Sequence, residues 1–219
     1  MAADKRGYSR IFYEAIQLMI KNNPRQSAAE KYDTVILAAG LSSRMGSFKP
    51  LMPYGQSTLI ETVVDAALEV SERIILVVGH RSPDIINLKH WDERVIIAIN
   101  EQYEKGMFSS VKVGAALVKS PRFFIVLGDQ PQISMSVYQQ LLAAETADVI
   151  QPAYKGKNGH PILLGEKVRE AILAADENDP DTNLRNIIDG FPKRIVKIND
   201  PGILIDLDTP EDYNRGECE

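Results

Sequence analysis

Cysteine is nearly absent: the 219-residue chain holds one, Cys218, next to last. A single thiol excludes a disulfide within the chain and a cysteine-based metal site. It also fits a reducing compartment, so a cytoplasmic location is the expectation. No apolar run approaches the ~20 residues that a bilayer-spanning helix needs. The basic N-terminal residues are not followed by an apolar core and a small-residue cleavage site, so export is not expected. Excess basic charge is missing too, with 25 Lys and Arg against 30 Asp and Glu and a formal net charge of -5. That balance argues against nucleic acid and against an anionic membrane surface as partners. An anionic ligand would have to be gathered by a local site. Internal repeats, low-complexity tracts, the G-x-x-x-x-G-K-S/T phosphate loop and the G-x-G-x-x-G dinucleotide fingerprint are all absent. The three histidines, His80, His90 and His160, do not have metal-ligand spacing.

What is present is ordinary globular composition, 44% hydrophobic and 25% charged, in a length that suits one α/β domain or two small ones. Residues 1–32 stand apart from the rest. Ile11, Ala15, Leu18 and Met19 fall on one face of a helix expected from about Ser9 to Lys21. Asn22, Asn23 and Pro24 end it, and a polar linker follows. This N-terminal helical extension is expected to precede a single domain over 33–219. From Asp33 onward, strands are expected at 34–38, 74–79, 95–99, 123–127 and 148–151, and helices at 58–71, 108–118 and 134–146. Such alternation predicts an α/β fold with a mostly parallel sheet and helices on both faces. The last third is less regular, with helices expected at 166–175 and 183–189 and strands near 194–198 and 203–207. Ligands of such sheets bind beyond the carboxyl ends of the strands. The turns Ala39-Gly40, Gly79-His80-Arg81 and Gly128-Asp129-Gln130-Pro131 are therefore expected to face one crevice.

The stretch from Thr34 to Pro50 organises the rest. Its apolar run Val35-Ile36-Leu37 passes through Ala38 and Ala39 into a loop with Gly40, Ser42, Ser43 and Gly46. Glycines let main-chain N–H groups approach a phosphate. Arg44 offers a forked donor and Lys49 a point charge for phosphate oxygens. Taken alone, the loop is equally a plain strand-to-loop turn with two solvated bases. Two acidic signals accompany it. Phe123 to Leu127 is an apolar strand that delivers Asp129 at its end, suited to Mg²⁺ or to capping a helix. Asp206 and Asp208, two apart, would share one face of a strand; they call for a cation or a basic partner between them, or are solvated on an edge. A phosphate loop and two acidic strand ends are the equipment of phosphoryl or nucleotidyl transfer.

With these residues in view, the chain resembles nucleotidyltransferases of the molybdenum-cofactor group, most of all the molybdenum cofactor cytidylyltransferases. The matching blocks are Leu37 to Gly46 with Lys49, Arg73 to Arg81, Gly106 to Lys112, Gly128 to Pro131, Gly159 to Leu163, Thr182 to Arg185 and Ile205 to Asp212. The resemblance implies a Rossmann-like, three-layer α/β/α nucleotidyltransferase that uses Mg²⁺. It would transfer CMP from CTP to the phosphate of molybdopterin and release pyrophosphate. The residues carried over are Gly40, Ser42 and Ser43 around the triphosphate and Arg44 and Lys49 on its leaving phosphates. Asp129 would hold Mg²⁺, with Asp206 and Asp208 completing the metal site. Ala38, Ala39, Gly79, His80, Arg81 and Ser110 would line the base and ribose pocket, with His160 and Asn183 on the acceptor side. Guanylyl-transferring relatives more often carry Gly where this chain has Ala39. The added methyl favours a pyrimidine, a preference worth only ~1–3 kcal/mol. The alternatives are a guanylyltransferase using GTP on the same cofactor, a transferase for a sugar phosphate or other phosphorylated metabolite, and a nucleotide-binding regulatory module without turnover. A molybdoenzyme or its chaperone would receive the product. The N-terminal extension departs from the family pattern.

Overall fold

The computed structural model of the chain describes residues 32–41, 47–177, 179, 181–207 and 212–213. The expected helix at Ser9–Lys21 lies outside the described residues, as do Ser42, Ser43, Arg44, Asp208 and Cys218. In chain order the strands are β1 (Asp33–Ala38), β2 (Pro53–Tyr54), β3 (Ser57–Thr58), β4 (Arg73–Val78), β5 (Val95–Ile99), β6 (Arg122–Leu127), β7 (Val149–Tyr154), β8 (Lys157–Asn158), β9 (Ile162–Gly165) and β10 (Lys193–Lys197). The helices are α1 (Leu59–Leu68), α2 (Ser82–Ile86), α3 (Met107–Leu117), α4 (Met135–Ala143), α5 (Glu166–Ala174) and α6 (Leu184–Asp189). Short 3₁₀ turns cover Lys49–Leu51, Tyr103–Lys105 and Pro201–Leu204.

The main sheet runs β10-β7-β9-β6-β1-β4-β5, with β8 added against β7. β1 lies parallel to both β4 and β6, and β5 is parallel to β4. Strands covered by helices on both faces read as near-continuous apolar runs, and β1, β4 and β6 do so beyond their polar first residues, Asp33 and Thr34, Arg73 and Arg122. Their successive side chains supply two cores. Ile36, Ile74, Leu76, Val78, Phe124 and Val126 face α1, α2 and α4 through residues such as Val63, Ile85 and Leu141. Val35, Ile75, Val77, Phe123 and Ile125 face α3, α5 and α6 through Val111, Ile172 and Ile188. The result is the expected three-layer arrangement. α1 starts where Thr58 accepts from the Glu61 backbone while the Glu61 carboxylate accepts from the Thr58 backbone, a reciprocal cap. At the amino end of the sheet, buried Asp33 accepts from Arg73 Nε and Nη2 and from the backbone N–H groups of Lys119 and Ser120. Burial alone would raise its pKa; those hydrogen bonds outweigh it and hold the carboxyl below the usual range.

α2, β2, β3 and β8 add to the expected elements, and two segments near the site differ from the sequence-based expectation. β9 enters the middle of the sheet antiparallel to both β6 and β7. The strand expected at 203–207 does not form. Pro201 fixes the backbone at the start of a 3₁₀ turn, and the Asp200 carboxylate accepts from the Gly202 N–H at 2.8 Å. The chain then crosses behind the β6 turn, where Leu207 N–H donates to the Asp129 carbonyl at 3.2 Å. Among the described residues, no helix is long and apolar enough to cross a membrane.

Candidate active site

A crevice of about 550 Å³ opens beyond the carboxyl ends of β1 and β6. Leu37 to Leu41 form one wall, Leu127 to Asp129 a second, and Tyr103, Glu104, Met107 and Ser110 a third; Lys49 and Asp206 reach in between them. Pairing of Leu37 with Leu127 and of Ala38 with Val78 brings the strand ends level, so their loops emerge together. A second hollow of about 490 Å³ lies at the opposite end of β6, against Arg122, Asp148 and Lys167. It contains none of the residues singled out by the sequence.

The centre of the crevice is an ion pair. Lys49 Nζ donates to Asp129 Oδ2 at 2.9 Å across 80 residues of chain. Lys49 is buried at 8% exposure, while the Asp129 side chain keeps 25%. A buried ammonium needs a counter-charge, and the strand-end carboxylate provides it. Asp206 joins from the C-terminal segment, its Oδ1 accepting from Gln130 Nε2 at 2.7 Å. Since it stands in an irregular segment, the strand-face argument made for Asp206 and Asp208 does not apply; Asp206 nevertheless lines the crevice. Among the described residues no group of three or more His, Cys, Asp or Glu is gathered tightly enough to cage a metal. Asp129 and Asp206 supply two carboxylates. This fits a hard divalent ion that takes one or two carboxylates and draws its other ligands from water and substrate phosphates.

Gly79, His80 and Arg81 stand one layer behind the lining and hold it. A Cβ at Gly79 would come within 2.7 Å of Tyr103 Cβ and 2.9 Å of Ala39 Cβ, so only glycine allows that contact. The Ala39 methyl is thereby directed onto Gly79. His80 N–H donates to the Ala39 carbonyl at 3.2 Å. Its ring stands 5.8 Å from that of Phe48 and 6.0 Å from that of Tyr103, and Arg81 lies 4.8 Å over Phe48. Cation and ring contacts of this kind are attractive, and here they tie the Phe48-Lys49 segment to the end of β4.

Ser110 depends on a residue that the sequence reading missed. Asn100, 2% exposed, donates through Nδ2 to Ser109 Oγ at 2.8 Å and Ser110 Oγ at 2.9 Å, and accepts from Gln102 N–H at 2.9 Å. It fixes the turn ahead of α3, where Gly106 adopts φ 100° as N-cap, a conformation that favours glycine. The only sequence signal is that Asn100 is the first polar residue after an apolar strand. His160 lies near Asp129 but is not part of the crevice lining, and its peptide bond to Pro161 is cis. Burial lowers its pKa to about 4, against a partial pull upward from the Asp129 carboxylate, so the imidazole is neutral at pH 7. Asn183 is exposed at the N-cap of α6. Its Oδ1 accepts from Asn186 N–H at 2.9 Å, and its Nδ2 donates to the Asp181 carbonyl.

Comparison with known proteins gives a consistent picture. Residues 34–195 match the family model described as the MobA-like NTP transferase domain. The Escherichia coli K12 molybdenum cofactor cytidylyltransferase is 32% identical over 181 residues, which cover 83% of this chain and 93% of that protein. The structure superposes on Mycobacterium tuberculosis Rv0371c with a TM-score of 0.74 at 22% identity, covering 88% of this chain and 100% of that one. A complex of Rv0371c with manganese gives a TM-score of 0.69 at 21% identity, covering 86% and 99%. A nucleotidyl transferase from Methanothermobacter gives 0.71 at 24% identity, covering 85% and 96%. At those identities the structural likeness establishes the fold.

Proposed function

We propose that the chain, which belongs to the MobA-like NTP transferase family, transfers CMP from CTP to the phosphate of a molybdopterin-type acceptor and releases pyrophosphate. One observation carries the reading. Lys49 and Asp129 meet at 2.9 Å in the crevice where β1 ends in Ala38, Ala39 and Gly40. The similarity to a molybdenum cofactor cytidylyltransferase over most of both chains supports the choice of substrates.

An acceptor phosphate oxygen attacks the α phosphorus of CTP in line. A new P–O bond forms, the bond from the α phosphorus to the oxygen bridging α and β breaks, and pyrophosphate leaves with that bridging oxygen. No nucleophile from the protein is required. The chain positions the two reactants and neutralises charge that grows on the leaving phosphates. Lys49 meets those phosphates, and Arg44, from the segment outside the described residues, is assigned the same role. Ser42 and Ser43 are assigned to the triphosphate loop with Gly40. Asp129 and Asp206 would hold a divalent ion, Mg²⁺ in this reading, with Asp208 as a further ligand; when bound, the ion supplies charge stabilisation to the phosphates. Ser110 and the backbone at Ala38 and Ala39 are assigned to the base and ribose, and Gly79, His80 and Arg81 keep that wall in place; with its methyl on Gly79, Ala39 gives no ground for a nucleotide preference. His160 and Asn183 are assigned to the acceptor side.

The test is pyrophosphate release from CTP with molybdopterin, run against a panel of sugar 1-phosphates. Release with molybdopterin and none with the sugars is expected. Release with a sugar phosphate alone would move the function to another acceptor, and CTP binding without release under any acceptor would make the protein a nucleotide-binding module.

A further inference from the structure

Gln130 is 3% exposed and sits directly after Asp129. Its N–H donates to the Leu127 carbonyl and closes the turn that ends β6. Its side chain is not part of the crevice lining and gives its amide to Asp206 Oδ1 at 2.7 Å. Only the nitrogen end can donate to a carboxylate, so the orientation of the amide follows from its partner. The other end, Oε1, is buried and has no hydrogen-bond partner among the described residues. A buried acceptor without a donor costs stability, and such costs gather at functional positions. The fold offers no return for it. A methionine or leucine would fill the space without an orphaned oxygen, but would leave Asp206 without this donor. A glutamate would set a second negative charge against it.

Asp206 needs such a donor because its own backbone is irregular. The segment 205–207 belongs to no strand. It is joined to the turn after β6 by the bond from the Leu207 N–H to the Asp129 carbonyl and by that from the Gln130 amide to the Asp206 carboxylate. The first holds the backbone; the second holds one oxygen of the carboxylate.

We infer that Gln130 is a positioning residue: it aims the Asp206 carboxylate into the crevice beside Asp129, so that both acids meet one divalent ion. The inference rests on the metal-assisted transferase reading above and adds the residue that assembles its acid pair. Groups that orient ligands in this way are worth roughly 10–100-fold in metal affinity.

The experiment measures binding of the non-transferable analogue α,β-methylene-CTP with and without Mn²⁺; the ratio of the two affinities is the contribution of the ion. For Gln130→Met the ratio falls about 10–100-fold while metal-free binding stays at the wild-type value. Gln130→Asn, which withdraws the amide by one methylene, gives the same loss and serves if the methionine variant melts early. Asp206→Asn lowers the ratio by a similar factor, and the double variant Gln130→Met/Asp206→Asn loses no more than either alone, because the two act as a unit. The inference is overturned by an unchanged ratio in the Gln130 variants, by losses that multiply in the double variant, or by a fall in metal-free binding equal to the fall with Mn²⁺. A wild-type ratio of one would instead defeat the metal-assisted reading itself, so the two failures are distinct.

Discussion

Replacing Asp129 by Asn removes one negative charge from the centre of the crevice and leaves the side-chain shape unchanged. The fold should register the change modestly. Cutting a fully buried ion pair costs about 3–5 kcal/mol, but Asp129 retains 25% side-chain exposure and Asn keeps an oxygen that can accept from Lys49. A loss of about 1–2 kcal/mol follows, or roughly 2–8 °C in Tm for a domain of this size. Turnover should register it strongly, since the lost carboxylate can no longer share a divalent ion with Asp206. A fall on the order of 1,000-fold corresponds to about 4 kcal/mol of transition-state stabilisation, within what a bound metal supplies. Lys49→Met is the contrasting perturbation. It leaves the acid in place, so Mn²⁺ should still strengthen nucleotide binding, while the affinity for the triphosphate itself drops. The assay is pyrophosphate release alongside thermal melting for both variants. An Asp129→Asn protein that melts within a few degrees of wild type and still releases pyrophosphate at near-normal rate would refute the reasoning, because it would remove the carboxylate from the chemistry.

Three further outcomes are expected. Asn100→Ala strips donors from Ser109 and Ser110 and the acceptor from Gln102; urea titration should show a loss of about 2–3 kcal/mol, with a raised KM for CTP. A methyl at Gly114 would stand 2.3 Å from Val35 Cγ1 and 3.1 Å from Val77 Cγ2, so Gly114→Ala should cost about 1–3 kcal/mol by overpacking with an unchanged denaturant slope. The His160 imidazole titrates near pH 4 in the fold and near 6.5 once unfolded, so the unfolded chain takes up its proton first as pH falls. Its contribution therefore weakens the fold progressively below pH 6.5, by up to about 3 kcal/mol at pH 4; melting of His160→Gln across that window should show a shallower decline than wild type.

Much of the fold is legible because its central strands are apolar beyond their first one or two residues. Val35 to Leu37, Ile74 to Val78 and Phe123 to Leu127 need no partner information to be read as buried strands, and their turns mark the crevice. β9 is less visible. Ile162, Leu163 and Leu164 form a run of three, too short to separate strand from helix, and nothing local tells a strand which direction its neighbours take. At 203–207 the mostly apolar run Ile-Leu-Ile-Asp-Leu reads as a strand, but Pro201 and the Asp200 side chain turn the backbone first. Within the site, Asp129 was readable from its place at a strand end. Lys49 was readable as a base near a glycine turn, though its pairing with Asp129 was not. The roles of Asn100 and Gln130 are not legible for a common reason: the bonds that give Asn100 its role run to Ser109 and Ser110, and the bond from Gln130 to Asp206 spans 76 residues. Neither belongs to a periodic pattern.

The most direct measurement is anomalous diffraction from a crystal of the chain soaked with Mn²⁺ and α,β-methylene-CTP. The account predicts a manganese peak about 2.0–2.6 Å from a carboxylate oxygen of Asp129, with the triphosphate between it and the turn at Ala39-Gly40. A bound nucleotide whose manganese sits elsewhere, or an intact Lys49–Asp129 pair with the triphosphate outside the crevice, would contradict it.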